Sequence, residues 1–477
     1  MRYVRMPLLL LALLCPSASS AATRASYAVV VSKQTRNQHD WSRVVDALVE
    51  KHAADVVVYD AEVNESVGPL RKLHPRYTCF VATPAEATRQ FVADVHVLTR
   101  TLDDDPYTDT LWGILTGYDA AGALRVVRHR EPLVVRRVGS GTDVALEMCE
   151  EGVCYDELVK NKTVQKKPGG QPIESRGPDD TTASLVGLLN DDRADLFVTS
   201  GHATERNWMI GFRYRNGRFV SAAGQMWGLD TAGRRIDIDA TRPKVYLPIG
   251  NCLMGHIDGP DAMALAWMND AGVHQMIGYT VPTWYGYMGW GCLDYFVEQP
   301  GRYTLAEAFH ANQHALIHRL ETYFPELTSA QIKPGGRIVP TSLSAEAKAA
   351  GLSPIDGAGL LHDRDVVAFY GDPKWSATMA TAPTAWDQTL DERDGLYTFT
   401  ITPNRGTKTF EPINTNGSQR GGRPIVHFFP SRLTNIRLIE DNGLKPVIAD
   451  YFLLIPNPQE YDPNRRYVVR FKASEVE

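Results

Sequence analysis

The sequence lacks several features that settle function at a glance. Its 477 residues show no internal repeat and no basic run dense enough to offset a formal charge of −6, so nucleic acid is not an implied partner. The longest apolar run, Leu8–Leu14, is too short to span a bilayer. No phosphate-binding glycine loop, Gly-x-Ser-x-Gly elbow or His-Glu-x-x-His pattern occurs, which leaves nucleotide, serine-hydrolase and metallopeptidase chemistry without support. Cysteine is scarce, at 6 residues. What is present, 43% hydrophobic and 22% charged residues, is the composition of a soluble globular protein, and the length implies two or three domains.

At the N-terminus Arg2 and Arg5 precede the Leu8–Leu14 run, and Ser19-Ser20-Ala21 follows with the small residues a signal peptidase needs. Residues 1–21 are therefore expected to be an export signal, which places the mature chain in the periplasm, at the cell surface or outside the cell. Loss of Cys15 leaves five cysteines, an odd number, so an oxidising compartment would leave at least one thiol unpaired. Cys149 and Cys154 flank a tight Glu-Glu-Gly turn and could pair. Cys79 and Cys292 sit in apolar surroundings, leaving Cys252 as the best candidate for a functional thiol.

Residues 22–140 alternate strand and helix. Tyr27–Val31, Val56–Tyr59 and Tyr77–Val81 read as strands, and Trp41, Val44, Val45, Leu48 and Val49 are spaced as one helix face with Asp40 as its cap. This rhythm predicts a parallel sheet with helices on both faces. Between Glu150 and Asp180 the composition shifts to Lys160, Lys162, Lys166, Lys167, Pro168, Gly169 and Gly170 without periodicity, and the segment reads as an exposed loop, open to proteolytic nicking. Thr181–Leu189 reads as a helix, Asn216-Gly217 as a two-residue hairpin turn, and Pro260 as the opening of a helix with Met263, Ala264, Trp267 and Met268 on one face. Beyond Leu396 the helix signals stop, and strands at Leu396–Ile401, Ile425–Phe429, Tyr451–Ile455 and Tyr467–Phe471 predict a β-sandwich.

The chain is organised around two short apolar runs that end in reactive residues. Leu196–Thr199 leads into Ser200-Gly201-His202-Ala203, and Val245–Ile249 into Gly250-Asn251-Cys252. Such runs read as strands buried on both faces, and in parallel sheets ligands bind just beyond the carboxyl ends. If the two strands are neighbours, one strand spacing of roughly 5 Å separates a thiol from a base. Trp284, Tyr285, Tyr287 and Trp290, interleaved with glycines after the strand Gln275–Tyr279, suggest a pocket rim.

The blocks Asp195–Trp208 and Val245–Cys252 resemble the two signature blocks of the gingipain family of cysteine peptidases, within the wider caspase-like clan. Asp105–Trp112, Tyr279–Trp284 and Phe369-Tyr-Gly-Asp-Pro373 resemble further family segments in the same order. The resemblance implies a caspase-like, mostly parallel α/β region with an immunoglobulin-like sandwich after it. Its boundaries would be 22–140 for an N-terminal subdomain, 141–385 for the catalytic subdomain and 386–477 for the sandwich. It further implies an exported endopeptidase acting on protein or peptide, with Cys252 as nucleophile and His202 as base. The backbone N–H groups of Cys252 and Ala203 would form the oxyanion hole, and Thr283, Trp284 and Tyr285 would line the pocket. The family has glycine where this chain has Ala203, which matters only if that position needs a positive φ. The acid that orients the histidine has no motif; Glu147, Glu150, Glu151 and Asp156 lie in the right part of the chain.

Two alternatives belong beside this reading. A peptidase scaffold without activity would be a binding or scaffolding protein. His310, His314 and His318, four apart on a helix, and Cys252 with His256 could chelate zinc; without a completing carboxylate, the first set reads as a partly exposed stripe beside Leu305, Phe309 and Leu316. No catalytic metal or organic cofactor is expected, with structural calcium left open.

Overall fold

A computed structural model describes residues 26–336, 338, 342–458, 461–463 and 465–476; the expected export signal lies outside these residues. Twelve strands form one twisted sheet. From one edge they run Asp55–Tyr59, Tyr27–Ser32, Tyr77–Val81, Leu111–Leu115, Val367–Tyr370, Val273–Tyr279, Lys244–Pro248, Leu196–Thr199, Arg137–Ser140, Glu151–Tyr155, Lys162–Lys166 and Ile173–Arg176. Pairing is parallel except between Val273–Tyr279 and Val367–Tyr370 and in the last two pairs at the far edge. The sheet crosses the position near residue 140 without a break.

Alternation along the strands explains the two layers of helices. Tyr27, Val29, Val31, Cys79 and Val81 face one side and pack on Trp41, Val44, Leu48 and Val127 from the helices His39–His52 and Ala120–Arg128. Ala28, Val30, Phe80 and Ile114 face the other and join the large core that contains the helix Leu305–Tyr323. The two central strands, Leu196–Thr199 and Lys244–Pro248, are buried along their whole length, as an apolar run without alternation requires. They pair in parallel, Leu196 beside Val245 and Thr199 beside Pro248.

Several local expectations are corrected. The segment from Glu150 to Asp180 contains the strands Glu151–Tyr155, Lys162–Lys166 and Ile173–Arg176, the last two a hairpin that extends the sheet edge. The outer strand is exposed throughout and buries no apolar row, so it leaves no periodic signal. Cys149 and Cys154 are both free and buried; the Cys149 thiol donates to the Ala145 carbonyl instead. The helix His39–His52 is capped at Gln38, with Asp40 in its first turn. The helix predicted from Pro260 starts at Met263. Asn216-Gly217 makes no two-residue turn: the Asn216 side-chain oxygen Oδ1 accepts from the N–H groups of Thr181 and Gly217, and Gly217 is kept small by Thr182 and Leu229. The tight turn falls at Ala223-Gly224, both at positive φ (48° and 74°), between Arg218–Ala222 and Gln225–Leu229.

The C-terminal region is a β-sandwich of one four-stranded sheet (Trp386–Arg393, Leu396–Pro403, Val468–Glu475, Leu433–Glu440) and one three-stranded sheet (Ile425–Phe428, Phe452–Ile455, Val447–Ile448). Ile425, Leu453 and Ile455 point into the sandwich, whereas Val426, Phe452 and Leu454 join the core of the α/β region. One sheet is therefore buried on both faces, and the sandwich shares a core with the α/β region.

Candidate active site

The site forms where the two central strands end. His202 and Cys252 line one cavity of about 360 Å³, together with Ser200, Gly201, Gly250, Thr283, Trp284 and Trp290. The strand ends are held together by Asn251, whose fully buried side chain accepts from the Thr199 hydroxyl at 2.6 Å and donates to the Gly201 carbonyl at 3.0 Å. Its backbone carbonyl accepts from the Thr283 hydroxyl, which brings in the pocket loop. One side chain thus joins the histidine loop to the cysteine loop.

Backbone shape presents the two reactive groups. Gly201, at φ 88°, makes the bend before His202. Leu253, at φ 59°, turns the chain immediately after Cys252, an uncommon state for a leucine. Trp208 fills the space beneath the histidine loop: its indole N–H donates to the Ser200 carbonyl at 2.8 Å, and a Cβ on Gly141 would lie 2.5 Å from its ring. The exposed His202 ring leans on Phe212 at 4.6 Å, and Phe212 is fixed by its backbone N–H to the Glu157 carbonyl at 2.6 Å.

Among the described residues Cys252 is the only thiol that is not buried. Burial pushes Cys149 and Cys292 up to about 12 and strongly raises Cys79 and Cys154 as well, which keeps those four protonated. The Cys252 sulfur accepts from the Thr283 N–H at 3.2 Å, a donor that supports negative charge there.

Ala203 takes no positive φ, so its Cβ costs nothing. It bridges Trp208, and the bonds of that bridge run from Thr204 N–H to Asn207 O and from Met209 N–H to His202 O. Ala203 therefore sits in the pair whose own N–H the ladder does not use.

Of the expected pocket residues, Thr283 and Trp284 line the cavity and Tyr285 does not. Tyr285 is buried, donates to Asp356 at 2.9 Å and packs where a side chain on Gly359 would sit. None of the four candidate acids is bonded to His202. Asp156 binds Lys162 and the N–H groups of Leu158 and Val159, Glu150 pairs with Arg136, and Glu147 and Glu151 lie along the neighbouring backbone. The acid that does line the cavity is Glu157. It is 5% exposed, one oxygen accepts from the Thr142 hydroxyl at 2.6 Å, and the other has no partner among the described residues. Burial raises its carboxyl to about 7. Sequence reasoning missed Glu157 and Asn251 because neither belongs to a pattern. It also missed Asn416, Gly417 and Ser418, which reach the cavity from the sandwich.

The histidine stripe is corrected too: His310 and His314 are buried rather than partly exposed. His310 accepts from the Trp112 N–H at 3.0 Å and His314 stacks on Phe452 at 4.1 Å, and burial lowers both, so they are neutral core residues. Near the site Glu205, His256 and Asp258 could in principle share a cation, but Arg206 grips Asp258 through two bonds and Arg89 contacts His256, so the positive charge is already supplied. Asp103, Asp105 and Asp109 also lie within ligand distance of one another; they precede Leu111–Leu115, which runs opposite to the two site strands and is separated from Lys244–Pro248 by two others, and none of the three lines the cavity. Burial, then mutual charge, raises Asp105 to about 7 and Asp109 to about 9.

No protein-family model matches the chain, and no curated protein matches its sequence. Among solved structures it is similar to the Arg specific cysteine proteinase gingipain R (RGPB), at 11% identity and a TM-score of 0.45, covering 95% of this chain and 98% of that one. A complex of Porphyromonas gingivalis RgpB pro- and mature domains gives 11% identity and 0.44 over 95% and 100% of the two chains. A structure described only as a protease gives 10% and 0.41 over 95% and 98%. Likeness at this level assigns no role to any residue, so the roles rest on the geometry above.

Proposed function

We propose that the chain is a cysteine endopeptidase in which Cys252 is the nucleophile and His202 the general base and acid. The observation that carries the reading is that the only thiol not buried among the described residues shares one cavity with an exposed histidine, beyond the ends of adjacent parallel strands joined by Asn251. The Cys252 thiolate attacks the scissile carbonyl, His202 receives the thiol proton and delivers it to the leaving amine, and water releases the thioester. The N–H groups of Cys252 and Ala203 hold the oxyanion, donors worth roughly 3–4 kcal/mol each.

Glu157 suggests the substrate. A buried carboxylate with a free oxygen, beside the flat rings of Trp284 and Trp290, suits a side chain that brings its own donors, and a basic residue on the acyl side fits best. Exposed Met209, Phe212 and Trp284 supply an apolar surface for flanking residues. Residues 1–21 are proposed to direct export; among the described residues no helix is long and apolar enough to cross a membrane.

A second reading, a binding protein on an inactive scaffold, is favoured by one observation: among the described residues no carboxylate hydrogen-bonds the His202 ring. Hydrolysis of a randomised peptide library by the full chain, lost in Cys252→Ala, supports the peptidase. Hydrolysis that persists in Cys252→Ala, or a wild-type chain that cleaves nothing, overturns it.

A further inference from the structure

Part of the cavity wall does not come from the α/β region. Asn416, Gly417 and Ser418 belong to a loop of the β-sandwich that crosses the domain boundary to reach it. Its anchors are buried and ionic. Glu298 accepts from the backbone N–H groups of Ile413 and Asn414 and from Arg420, while Asp294 accepts from Arg420, Arg423 and the Gly421 N–H. All four charged side chains are at most 7% exposed, so each charge depends on its partners and the loop is not free to swing.

Packing at the tip is just as constrained. Gly417, at φ 106°, lies flat on the Trp290 ring, where a Cβ would come within 2.3 Å. A Cβ on Gly286 would meet Trp290 at 2.9 Å and Ser418 at 3.0 Å from the other side. Loop, indole and pocket backbone form a stack with no spare volume. The loop also reaches the pocket carboxylate: Asn416 donates to the Thr142 hydroxyl at 3.5 Å, and that hydroxyl donates to Glu157 at 2.6 Å.

We propose that the loop Ile413–Arg423 is a specificity strap, through which the sandwich supplies one wall of the substrate pocket and positions Glu157. The proposal rests on the peptidase reading and goes beyond it in giving the sandwich a part in substrate choice. Asn416 sets the direction of the Thr142 hydroxyl that holds one Glu157 oxygen, and so the placement of the carboxyl beside the pocket; Ser418 presents a hydroxyl to the bound side chain. Both are positioning or binding groups, remote from the proton transfers, so their loss should act on KM more than on kcat.

The test is kcat/KM for the full chain against peptides that differ only in the residue on the acyl side of the cut. Asn416→Ala and Ser418→Ala are each expected to change the ratio between the two best residues by about tenfold, mainly through KM. Leu438→Ala, on an exposed position of the same sandwich, is expected to leave the ratio alone. Urea unfolding midpoints within error of wild type show that the strap variants are folded. A wild-type enzyme whose ratio is unmoved, within twofold, in both folded strap variants overturns the strap while leaving the peptidase standing. A wild-type chain that cleaves no peptide overturns both.

Discussion

Asn251→Ala is the perturbation that most sharply separates holding the site together from performing its chemistry. The change deletes two buried hydrogen bonds, from the Thr199 hydroxyl and to the Gly201 carbonyl. Thr199 keeps a second partner, the Tyr246 hydroxyl at 2.8 Å, whereas the Gly201 carbonyl loses the side-chain donor that tied it to the cysteine loop. At about 1 kcal/mol per bond, plus the cost of a poorly satisfied carbonyl, the loss of stability comes to about 2–3 kcal/mol. The catalytic loss should be out of proportion to this, because the same bonds set His202 against Cys252, and a displacement near 1 Å costs about 100-fold in rate. Guanidinium unfolding and peptide hydrolysis on the same preparation measure the two quantities. Asn251→Asp keeps the acceptor for Thr199 but aims an oxygen at the Gly201 carbonyl, and is expected to lose at least as much activity. If Asn251→Ala lost 2 kcal/mol yet hydrolysed within about threefold of wild type, the argument that this side chain aligns the pair would be wrong.

Three further outcomes follow from other parts of the molecule. Burial lifts the Glu157 carboxyl from 4.5 to about 7, so the folded state holds a proton that the unfolded chain gives up earlier. Its contribution to stability is full below pH 4.5 and is lost as pH rises through 7. The unfolding free energy of wild type minus that of Glu157→Gln should therefore fall between those limits in urea titrations; a flat difference refutes the burial. Arg423→Leu leaves buried Asp294 with Arg420 as its one cationic partner beside the Gly421 N–H and is expected to cost about 3–5 kcal/mol by denaturation, against less than 1 for an exposed arginine such as Arg176. His314→Leu removes a ring nitrogen with no partner among the described residues and should change stability by no more than about 1 kcal/mol with hydrolysis intact; loss of activity that zinc restores would revive the metal reading.

How much of this was legible beforehand depended on whether a residue's role left a local trace. Leu196–Thr199 and Val245–Ile249 were readable because a strand buried on both faces must be apolar at every position, and His202 and Cys252 stood out by following them. The sandwich strands were readable from their spacing and turns. Glu157 was not, because what makes it notable is burial next to Phe212 and Thr142, and no neighbour in sequence announces that. The exposed hairpin after Lys160 buries no row of side chains and so shows no period. Strap residues Asn416–Ser418 belong to no pattern in the sequence, since their significance lies in Trp290, Asp294 and Glu298, more than a hundred positions earlier. His310 and His314 were misjudged because a neutral imidazole buries readily once it has a backbone donor or an aromatic face to rest on, and polarity alone does not reveal that.

The imidazole at 202 is proposed to make the sulfur at position 252 reactive. Mass spectrometry of the full chain after brief exposure to a peptidyl chloromethyl ketone with a basic acyl-side residue tests it most directly. One adduct is expected, on Cys252, formed far faster than on Cys79, Cys149, Cys154 or Cys292, and slowed by at least about 100-fold in His202→Ala. Equal labelling of Cys252 with and without the histidine would contradict it.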